Sequence, residues 1–166
     1  MVVNTVYDAI LNNVTKYYEQ SPENFKILSD IIEKRSSVSI TLVEYFTLIY
    51  AKNHSTMYIK NNNDFFIVYI KYKNFLKGYG KKYTDLFRRK RNKEEDDFFF
   101  TLHDITVKTR LAQLHFFKWA FENEMIAFIT DNIEDIEKDM IQHKKNKKKS
   151  KNSNIIPTCV NHIIQT

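Results

Sequence analysis

The sequence is poor in the residues that build many catalytic and binding motifs. Its 166 residues include one cysteine, two glycines and two prolines. The single cysteine, Cys159, excludes an internal disulfide and a cysteine-rich zinc site. The two glycines lie at positions 78 and 80, so the chain has no phosphate-binding loop, no G-x-G-x-x-G fingerprint and no G-x-S-x-G nucleophile turn. We therefore expect a protein that is not an enzyme and has no cofactor.

Long apolar runs are also missing. The first 14 residues, MVVNTVYDAILNNV, lack the basic and apolar blocks of a secretory signal. No stretch approaches the roughly 20 apolar residues that a membrane-spanning helix requires, so no membrane span is expected. The single cysteine fits a reducing compartment. The hydrophobic fraction is 43%, with 13 Phe and 10 Tyr, which is enough to build a core in one domain.

Charge is distributed unevenly along the chain. The formal net charge is +6, but residues 71–93 contain ten Lys or Arg and a single acid, and residues 144–151 contain six Lys. The remaining residues are acidic, with ten cations against nineteen acids. An asymmetry of this kind indicates a polyanionic partner more than a uniformly solvated surface.

Hydrophobic periodicity predicts three helices in the first third of the chain. The first covers residues 4–19, where apolar side chains recur at helical spacing. A Ser-Pro pair predicts a second helix over 22–34, because serine caps helices and proline fits the first helical position. Ser39 is the predicted cap of a third helix over residues 40–52.

The period of the pattern then shortens to two. Met57–Lys60 and Phe65–Lys73 predict a β-hairpin, because the four residues between them are Asn-Asn-Asn-Asp and tolerate tight turns. A third strand is predicted at Phe98–Leu102. The basic stretch would then be a long excursion between strands two and three, or an extension of strand two that leaves the sheet near Gly78.

The last part of the chain returns to helical spacing. Residues 105–129 predict the main core helix, and residues 131–143 predict a more polar final helix. The Lys-rich composition from Lys144 onward predicts disorder. We expect a single α+β domain over 1–143 with N-terminal helices, a small antiparallel β-sheet and a long C-terminal core helix. A disordered basic tail, 144–166, would follow it.

Residues 71–91 interleave cations with aromatic rings. Phosphate binding favours a high density of Lys and Arg, because each neutralised phosphate releases counterions. Single-stranded nucleic acid also uses flat rings on which bases stack. The two glycines flank Tyr79 and permit a sharp turn or a close approach to a backbone. With cations on phosphates and tyrosines on bases, the predicted nucleic-acid contacts are Lys71, Lys73, Lys77, Tyr79, Lys81, Lys82, Tyr83, Arg88, Arg89 and Arg91.

Two other interpretations of this segment stay open. Aromatic residues that alternate in a strand face a core more often than a base, and lysines on the opposite face are commonly just solvated. The acidic run Glu94–Asp97 could also neutralise the arginines of residues 88–91 within a surface loop. Both observations favour a solvated or locally paired face, which is the first interpretation. The second is that the segment forms a face that binds another protein.

Histidines and carboxylates give no pattern typical of a metal or catalytic site. None of the five histidines stands at a metal-ligand spacing from another ligand. His115 and Trp119 are four residues apart on a helix, so a packed and hydrogen-bonded histidine is expected there. The carboxylates of Glu94–Asp97 are consecutive on a loop and would not converge on one ion.

Three stretches of the sequence carry a resemblance to a known family. They are SITLVEYFTLIYAKNHS, FFIVYIKYKNFLKGYGKKYTDLFRRKR and TVKTRLAQLHFFKWAFENEMIAFI, and the resemblance covers residues 37–140. They resemble an uncharacterised family of large nucleocytoplasmic DNA viruses of the giant-virus type. The family's run Tyr-Lys-x-x-Leu-Lys-x-Tyr-x-Lys-Lys-x-x-Asp-x-Phe matches from Tyr72 to Phe87, and the arginine pair at its end is matched by Arg88 and Arg89. Leu86 stands where the family has a proline, and the cysteine expected before the arginine pair is missing, which is typical of a divergent member.

The resemblance implies a viral origin and no activity that can be transferred. The setting that it implies is the host cytoplasm, in a viral factory, or the virion. We therefore hypothesise a non-enzymatic viral protein that associates with nucleic acid, DNA or RNA, through residues 71–91. The alternative is a virion structural or assembly protein that binds an acidic viral protein partner through the same face.

Overall fold

The computed structural model describes residues 5–88 and 97–153. Its elements in chain order are α1 (Thr5–Gln20), α2 (Pro22–Ile32), α3 (Ile40–Tyr45), a π-helical turn (Phe46–Tyr50), α4 (Ala51–Asn53), β1 (Met57–Ile59), β2 (Phe65–Ile67), α5 (Val68–Tyr79), α6 (Lys81–Thr84), β3 (Phe98–Leu102), β4 (Ile105–Thr109), α7 (Leu111–Glu122), α8 (Met125–Asp131) and α9 (Ile133–Ser153). The fold is α+β: helices predominate, and each of two small sheets is an antiparallel pair of strands, β1–β2 and β3–β4.

The N-terminal helices follow the predicted pattern. Phe25 and Leu28 of α2 are fully buried, as is Tyr18 of α1, whose hydroxyl donates a hydrogen bond of 2.9 Å to the carbonyl of Leu114 in α7. The Ser39 hydroxyl accepts a hydrogen bond from the backbone N–H of Leu42, so the predicted cap is confirmed. The predicted third helix contains one irregularity, the π-helical turn between α3 and α4.

The predicted second strand is wrong beyond Ile67. β2 pairs with β1 over three residues, and the chain then turns into α5. The alternation of apolar residues over 66–72 fits a strand as well as a helix, but burial distinguishes the two. Ile70 is 53% exposed whereas Tyr72 is 1% exposed, and the buried residues of α5 follow helical spacing. The basic stretch is therefore mostly helical and is not an excursion from a sheet.

The predicted helix over 105–129 is also corrected. Ile105–Thr109 forms β4, which pairs with β3 in register from Phe98 opposite Thr109 to Leu102 opposite Ile105. The turn between them, His103–Asp104, has φ values of 49° and 64°. Two consecutive left-handed residues match the twist of a tight hairpin, and aspartate and histidine tolerate this conformation better than most residues.

A second break separates α7 from α8. Glu124 adopts a left-handed φ of 57° and ends the continuous helix that the periodicity predicted. The buried residues of α7 nevertheless include every position from Leu111 to Phe117, so α7 is the central helix of the core. Helices α1, α6 and α8 pack against it.

The last helix is longer than the sequence predicted. α9 continues to Ser153, so the disorder expected for 144–153 is wrong. Lysine is a good helix former, and extending a helix that is already nucleated by packing is easier than starting one. Residues 154–166 of the expected tail lie outside the described residues. No helix in the described part of the chain is long and apolar enough to cross a membrane.

Candidate nucleic-acid interface

Helices α5 and α6 place the predicted lysines on the surface. Val68, Tyr72, Phe75 and Leu76 bury one side of α5, and this burial fixes the orientation of the whole helix. The exposed side and the turn that follows carry the cations. We call the following set the α5–α6 cation surface, in which every member is exposed: Lys71, Lys73, Lys77, Lys81, Lys82 and Arg88.

Gly80 sets the angle between the two helices. Its φ of 82° and ψ of 144° end α5 and allow α6 to start at Lys81. A residue with a Cβ would be strained in this conformation. Gly78 lies inside α5 and has an ordinary helical backbone, so it serves no turn.

The cations of this surface have no ionic partner among the described residues. The salt bridges in the described part of the chain involve other residues, such as Lys26 with Asp30 and Lys118 with Glu122. Two of the cations contact rings: Lys73 Nζ lies 5.4 Å from the centre of Tyr69, and Lys82 Nζ lies 5.6 Å from that of Tyr83. Within the part of the chain that the structure describes, these positive charges are therefore not paired with acids, and the acids at positions 94–96 lie outside it.

The single acid within the segment faces the protein. Asp85 Oδ1 accepts a hydrogen bond of 3.0 Å from the backbone N–H of Phe87. Burial raises the pKa of the Tyr72 hydroxyl, and the negative charge of the Asp85 carboxylate raises it further. The carboxylate is thus used in local packing and forms no salt bridge with a described lysine.

The expected neutralising loop lies mostly beyond the described residues. Arg89, Arg91 and the acids at positions 94–96 are in this group. Arg88 itself is exposed, and its carbonyl accepts a hydrogen bond of 3.5 Å from the guanidinium of Arg110. Arg110 also donates to the carbonyl of Leu86 and so holds the chain that follows α6 against the start of α7.

The rings of the segment divide into buried and exposed groups. Tyr72 and Phe75 are in the core, and Phe87 packs edge-on to Phe116 at 5.3 Å. The alternative interpretation of core-facing aromatics therefore holds for these three rings. Tyr79 is 55% exposed, whereas Tyr83 is half-buried. Of the two predicted stacking rings, Tyr79 is the one whose face is open to solvent.

His115 supports the two tyrosines from below. Its Nδ1–H donates a hydrogen bond of 2.8 Å to the carbonyl of Tyr83, and its ring packs edge-on to Tyr79 at 4.7 Å. Burial lowers the pKa of His115, so the imidazole is neutral near pH 7. The expectation of a packed, hydrogen-bonded histidine is confirmed, and its role is to position its neighbours.

A groove of about 610 Å³ opens along the side of α5. Hairpin β1–β2 and the C-terminal end of α7 form its other walls. It brings aromatic rings together with amide and ammonium groups, and the residues that line it are Lys60, Asp64, Phe65, Phe66, Lys71, Asn74, Phe75, Tyr79, Trp119 and Asn123. Two of the predicted contact residues, Lys71 and Tyr79, therefore lie in a concave site.

Sequence reasoning missed the part of this site that comes from outside residues 71–91. Lys60 lies at the end of β1, and its Nζ donates a hydrogen bond of 3.1 Å to Asn123 Oδ1. Lys52 of α4 approaches the Tyr69 ring from a distance of 5.4 Å, as Lys73 does. Nothing in the local sequence marks these lysines, because only the packing of distant segments brings them to α5.

A second titratable cluster holds α9 against α3 and α4. The Asp139 carboxylate accepts hydrogen bonds from the Tyr45 hydroxyl and from His54 Nε2, the latter at 3.1 Å. The bond from Tyr45 lowers the pKa of Asp139, with a smaller lowering by His54. Among the described residues, no group of three or more His, Cys, Asp or Glu is arranged to hold a metal ion.

Comparison with known proteins gives one family and one curated relative. The Family of unknown function (DUF7197) matches residues 4–164. The chain is similar to "Uncharacterized protein L507" of Acanthamoeba polyphaga mimivirus, with 35% identity over 151 residues. That alignment covers 87% of this chain and 58% of the relative, so the chain spans less than two thirds of its relative's length. No solved structure matches the chain.

Proposed function

The chain belongs to this family of unknown function, and we propose that it acts as a non-enzymatic viral protein that associates with nucleic acid. The giant-virus resemblance in the sequence is confirmed by the family match and by the mimivirus relative. The proposed setting is the viral factory in the host cytoplasm, or the virion, and both contain viral nucleic acid.

The observation that carries the proposal is the α5–α6 cation surface. Five exposed lysines on two consecutive helices, and Arg88 just after them, have no ionic partner among the described residues. Because α5 is anchored in the core, the backbone that carries Lys71, Lys73 and Lys77 is fixed before a partner arrives, and less backbone freedom is lost on binding. An exposed tyrosine among them adds a face for an unpaired base.

The test is a fluorescence-anisotropy titration of labelled single- and double-stranded oligonucleotides over a series of salt concentrations. Three proteins are compared: the wild type, a Lys77→Ala/Lys81→Ala/Lys82→Ala variant, and a control with three exposed lysines removed elsewhere. The control is Lys16→Ala/Lys108→Ala/Lys138→Ala, which changes the net charge by the same amount.

We expect the wild type to bind with an affinity that falls steeply with salt. Removing the three lysines of α5 and α6 should reduce the slope of log affinity against log salt by about two to three, because each phosphate contact contributes about 0.7–0.9. The control should change the slope by less than about one. Equal effects of the two triple variants, or no binding at near-physiological salt, would refute the proposal.

One observation favours a second function, a virion structural or assembly protein with a protein partner. The outer face of hairpin β1–β2 is apolar and open to solvent: Met57 is 54% exposed, Ile59 60%, Phe65 63% and Ile67 37%. These residues form the cross-strand pairs Met57 with Ile67 and Ile59 with Phe65. An apolar face bordered by lysines suits a partner with an apolar centre and an acidic rim.

Capture from nuclease-treated virion extract tests this second function. Ile59→Asp/Ile67→Asp changes the apolar face without altering the cation surface. If a viral protein is retained by the wild type and by the lysine triple variant but lost with the aspartates, the apolar face is the interface. Retention that depends on the lysines alone would assign the partner to the cation surface.

A further inference from the structure

We propose that the groove beside α5 binds one unpaired nucleotide of the strand, with the base against its aromatic wall and the phosphate at Lys71. This inference rests on the proposed function, because the α5–α6 cation surface would hold the neighbouring phosphates. It adds a defined subsite that takes a base, where the cation surface alone would recognise only the backbone.

The aromatic wall of the groove is fixed by packing. The Phe75 and Trp119 rings are stacked, with centroids 5.0 Å apart and planes at 15°. Tyr79 packs edge-on to Phe75 at 5.9 Å and to His115 at 4.7 Å, yet it is 55% exposed. A ring that packs against two neighbours and is still more than half exposed is prepared for stacking, since part of its freedom is already lost.

The opposite wall supplies a second exposed ring. Phe65 of β2 lines the groove and is 63% exposed, although its neighbour Phe66 is buried against Tyr58 and Trp119. A large exposed phenyl group on a short strand gains from being covered by a flat apolar surface. A nucleobase has two such faces, whereas a phosphate or a simple anion has none.

Two polar groups in the groove are available to a ligand. Lys71 and Asn74 lie about one turn apart on α5, both are exposed, and neither has a hydrogen-bond or ionic partner among the described residues. The asparagine amide offers both a donor and an acceptor, which is the combination that the edge of a base requires. The ammonium group of Lys71 matches a phosphate.

The remaining polar groups are already engaged, and they orient the ligand. Lys60 donates to Asn123 Oδ1 at 3.1 Å, and Asn123 Nδ2 donates to the carbonyl of Trp119 at 2.8 Å. The Asp64 carboxylate, which accepts from Asn62 Nδ2 at 3.0 Å, lies at the hairpin end of the groove. Its negative charge disfavours a phosphate there, so the phosphate belongs at the Lys71 side.

The size and position of the groove fit one unit of a chain. A volume of about 610 Å³ is within the range of sites that bind small molecules and cofactors. The groove is open along α5, so a strand can enter and leave it. Lys71 belongs both to the groove and to the cation surface, which makes the two sites continuous.

Trp119 allows the groove to be observed directly. It is the only tryptophan of the chain and it lines the groove, so a base that enters should change its fluorescence. The probes are a nine-nucleotide single strand, the same backbone without any base, and that backbone with one central base. Anisotropy of a label on the strand measures binding, and Trp119 fluorescence in the same samples measures occupancy of the groove.

We expect the single central base to raise the affinity of the base-free backbone roughly tenfold or more and to quench Trp119. Phe65→Ala and Asn74→Leu should remove most of that gain, the first by deleting a wall and the second by filling the groove. Phe99→Ala and Asn13→Leu are the matched controls, because both side chains are exposed and neither lies on the cation surface or lines the groove. Circular dichroism confirms that each variant is folded.

The failures of the two proposals are distinguishable. If the intact strand binds but the central base adds no affinity and leaves Trp119 unchanged, the groove does not take a base, and the proposed function stands alone. If the groove variants bind the one-base strand as tightly as the wild type, the subsite is likewise refuted. If no strand binds at near-physiological salt, both proposals are wrong.

Discussion

Two basic regions of the chain, the α5–α6 cation surface and the end of α9, are built in different ways. α5 buries one side, with Tyr72 1% and Phe75 7% exposed, and presents its lysines from the other. Every residue of α9 from 144 to 153 is exposed, and six lysines point away from that helix in several directions. The first region presents its charges beside a groove, whereas the second presents them on a helix end whose described residues are all exposed.

The difference teaches that charge density does not by itself define a binding site. A phosphate backbone attracts any exposed lysine, so the end of α9 is expected to add affinity without selectivity. Selectivity for an unpaired strand requires rings and polar groups at fixed positions next to the charge. In the described residues, that combination occurs on α5 and depends on the core contacts beneath it.

The largest expected effect concerns the anchoring of the two regions. Phe75→Ala should lower the free energy of unfolding by about 3–5 kcal/mol, because it leaves a cavity between Trp119 and His115. Ending the chain after His143 should change it by less than about 0.5 kcal/mol, since the described residues that it removes, 144–153, are all exposed. Urea unfolding followed by circular dichroism measures both.

Phe99→Ala is the control for the first change, because that side chain is 74% exposed on β3 and should lose little stability. If Phe75→Ala and Phe99→Ala lowered the free energy of unfolding equally, α5 would not be anchored in the core as described. The contrast between α5 and the end of α9 would then disappear.

The next effect is on the preference for single strands. Ending the chain after His143 should weaken binding to single- and double-stranded oligonucleotides by similar factors. The Lys77→Ala/Lys81→Ala/Lys82→Ala variant should weaken binding to single strands more than binding to double strands. The preference for single strands should fall by about threefold to tenfold, because the bound oligonucleotide is held less firmly beside the stacking rings. Competition titrations at one salt concentration measure the preference. A preference that is lost with the end of α9 would reverse the roles of the two regions.

A smaller effect is expected where α9 is attached to the body. The folded-state pKa of Asp139 lies below its ordinary value of 3.8, chiefly through the hydrogen bond from Tyr45. A carboxylate with a depressed pKa contributes stability that is present above its unfolded pKa and is lost as pH falls through the folded one. As the pH is lowered from about 5 to about 2, the free energy of unfolding of the wild type should therefore fall. The Asp139→Asn variant should lack the part of this fall that comes from Asp139.

At neutral pH, Asp139→Asn should cost about 1 kcal/mol, because hydrogen bonds to a charged acceptor are replaced by neutral ones. Asp131→Asn, which changes an exposed carboxylate on α8, is the control. Parallel stability curves of wild type and Asp139→Asn across this pH range would show that the contact with Tyr45 and His54 does not hold α9.

The smallest effects separate the two glycines of the basic segment. Gly78→Ala should stabilise the protein by roughly 0.5–1 kcal/mol, because α5 is helical there and a Cβ would meet nothing within 4 Å. Gly80→Ala should destabilise it by about 1 kcal/mol, because φ is 82° at that residue. Thermal unfolding of both variants measures the difference. If Gly78→Ala also weakened binding, a strand would approach the backbone of α5 closely at that point.

Much of the outline was predictable from local sequence. The helices over 5–20 and 22–32 agree with the pattern because their apolar spacing fits only the helical period. The Ser39 cap and strand β3 also agree, because serine favours helix caps and phenylalanine favours strands. Residues 68–73 were assigned to the wrong element because their apolar positions fit both periods. The hairpin turn at His103–Asp104 was missed because neither residue is the glycine that usually marks such a turn.

The candidate site was predictable only in part. The exposure of Lys71, Lys73 and Lys77 followed from their charge, since a lysine is almost never fully buried unless it is paired. The exposure of the rings did not follow, because an aromatic side chain is stable in a core or on a surface according to its neighbours. That Lys60 and Trp119 line the same groove as Lys71 could not be predicted, because the packing of three separate elements brings these residues together.

The sequence by itself determined the amounts: how many cations the chain carries, where along it they concentrate, and which family it belongs to. The tertiary structure alone decided the arrangement: that Tyr72 and Phe75 are buried, that Tyr79 is open, and that a groove lies beside Lys71. The physical reason is that charge and composition are properties of single residues, whereas burial and concavity arise only from contacts between segments distant in the chain.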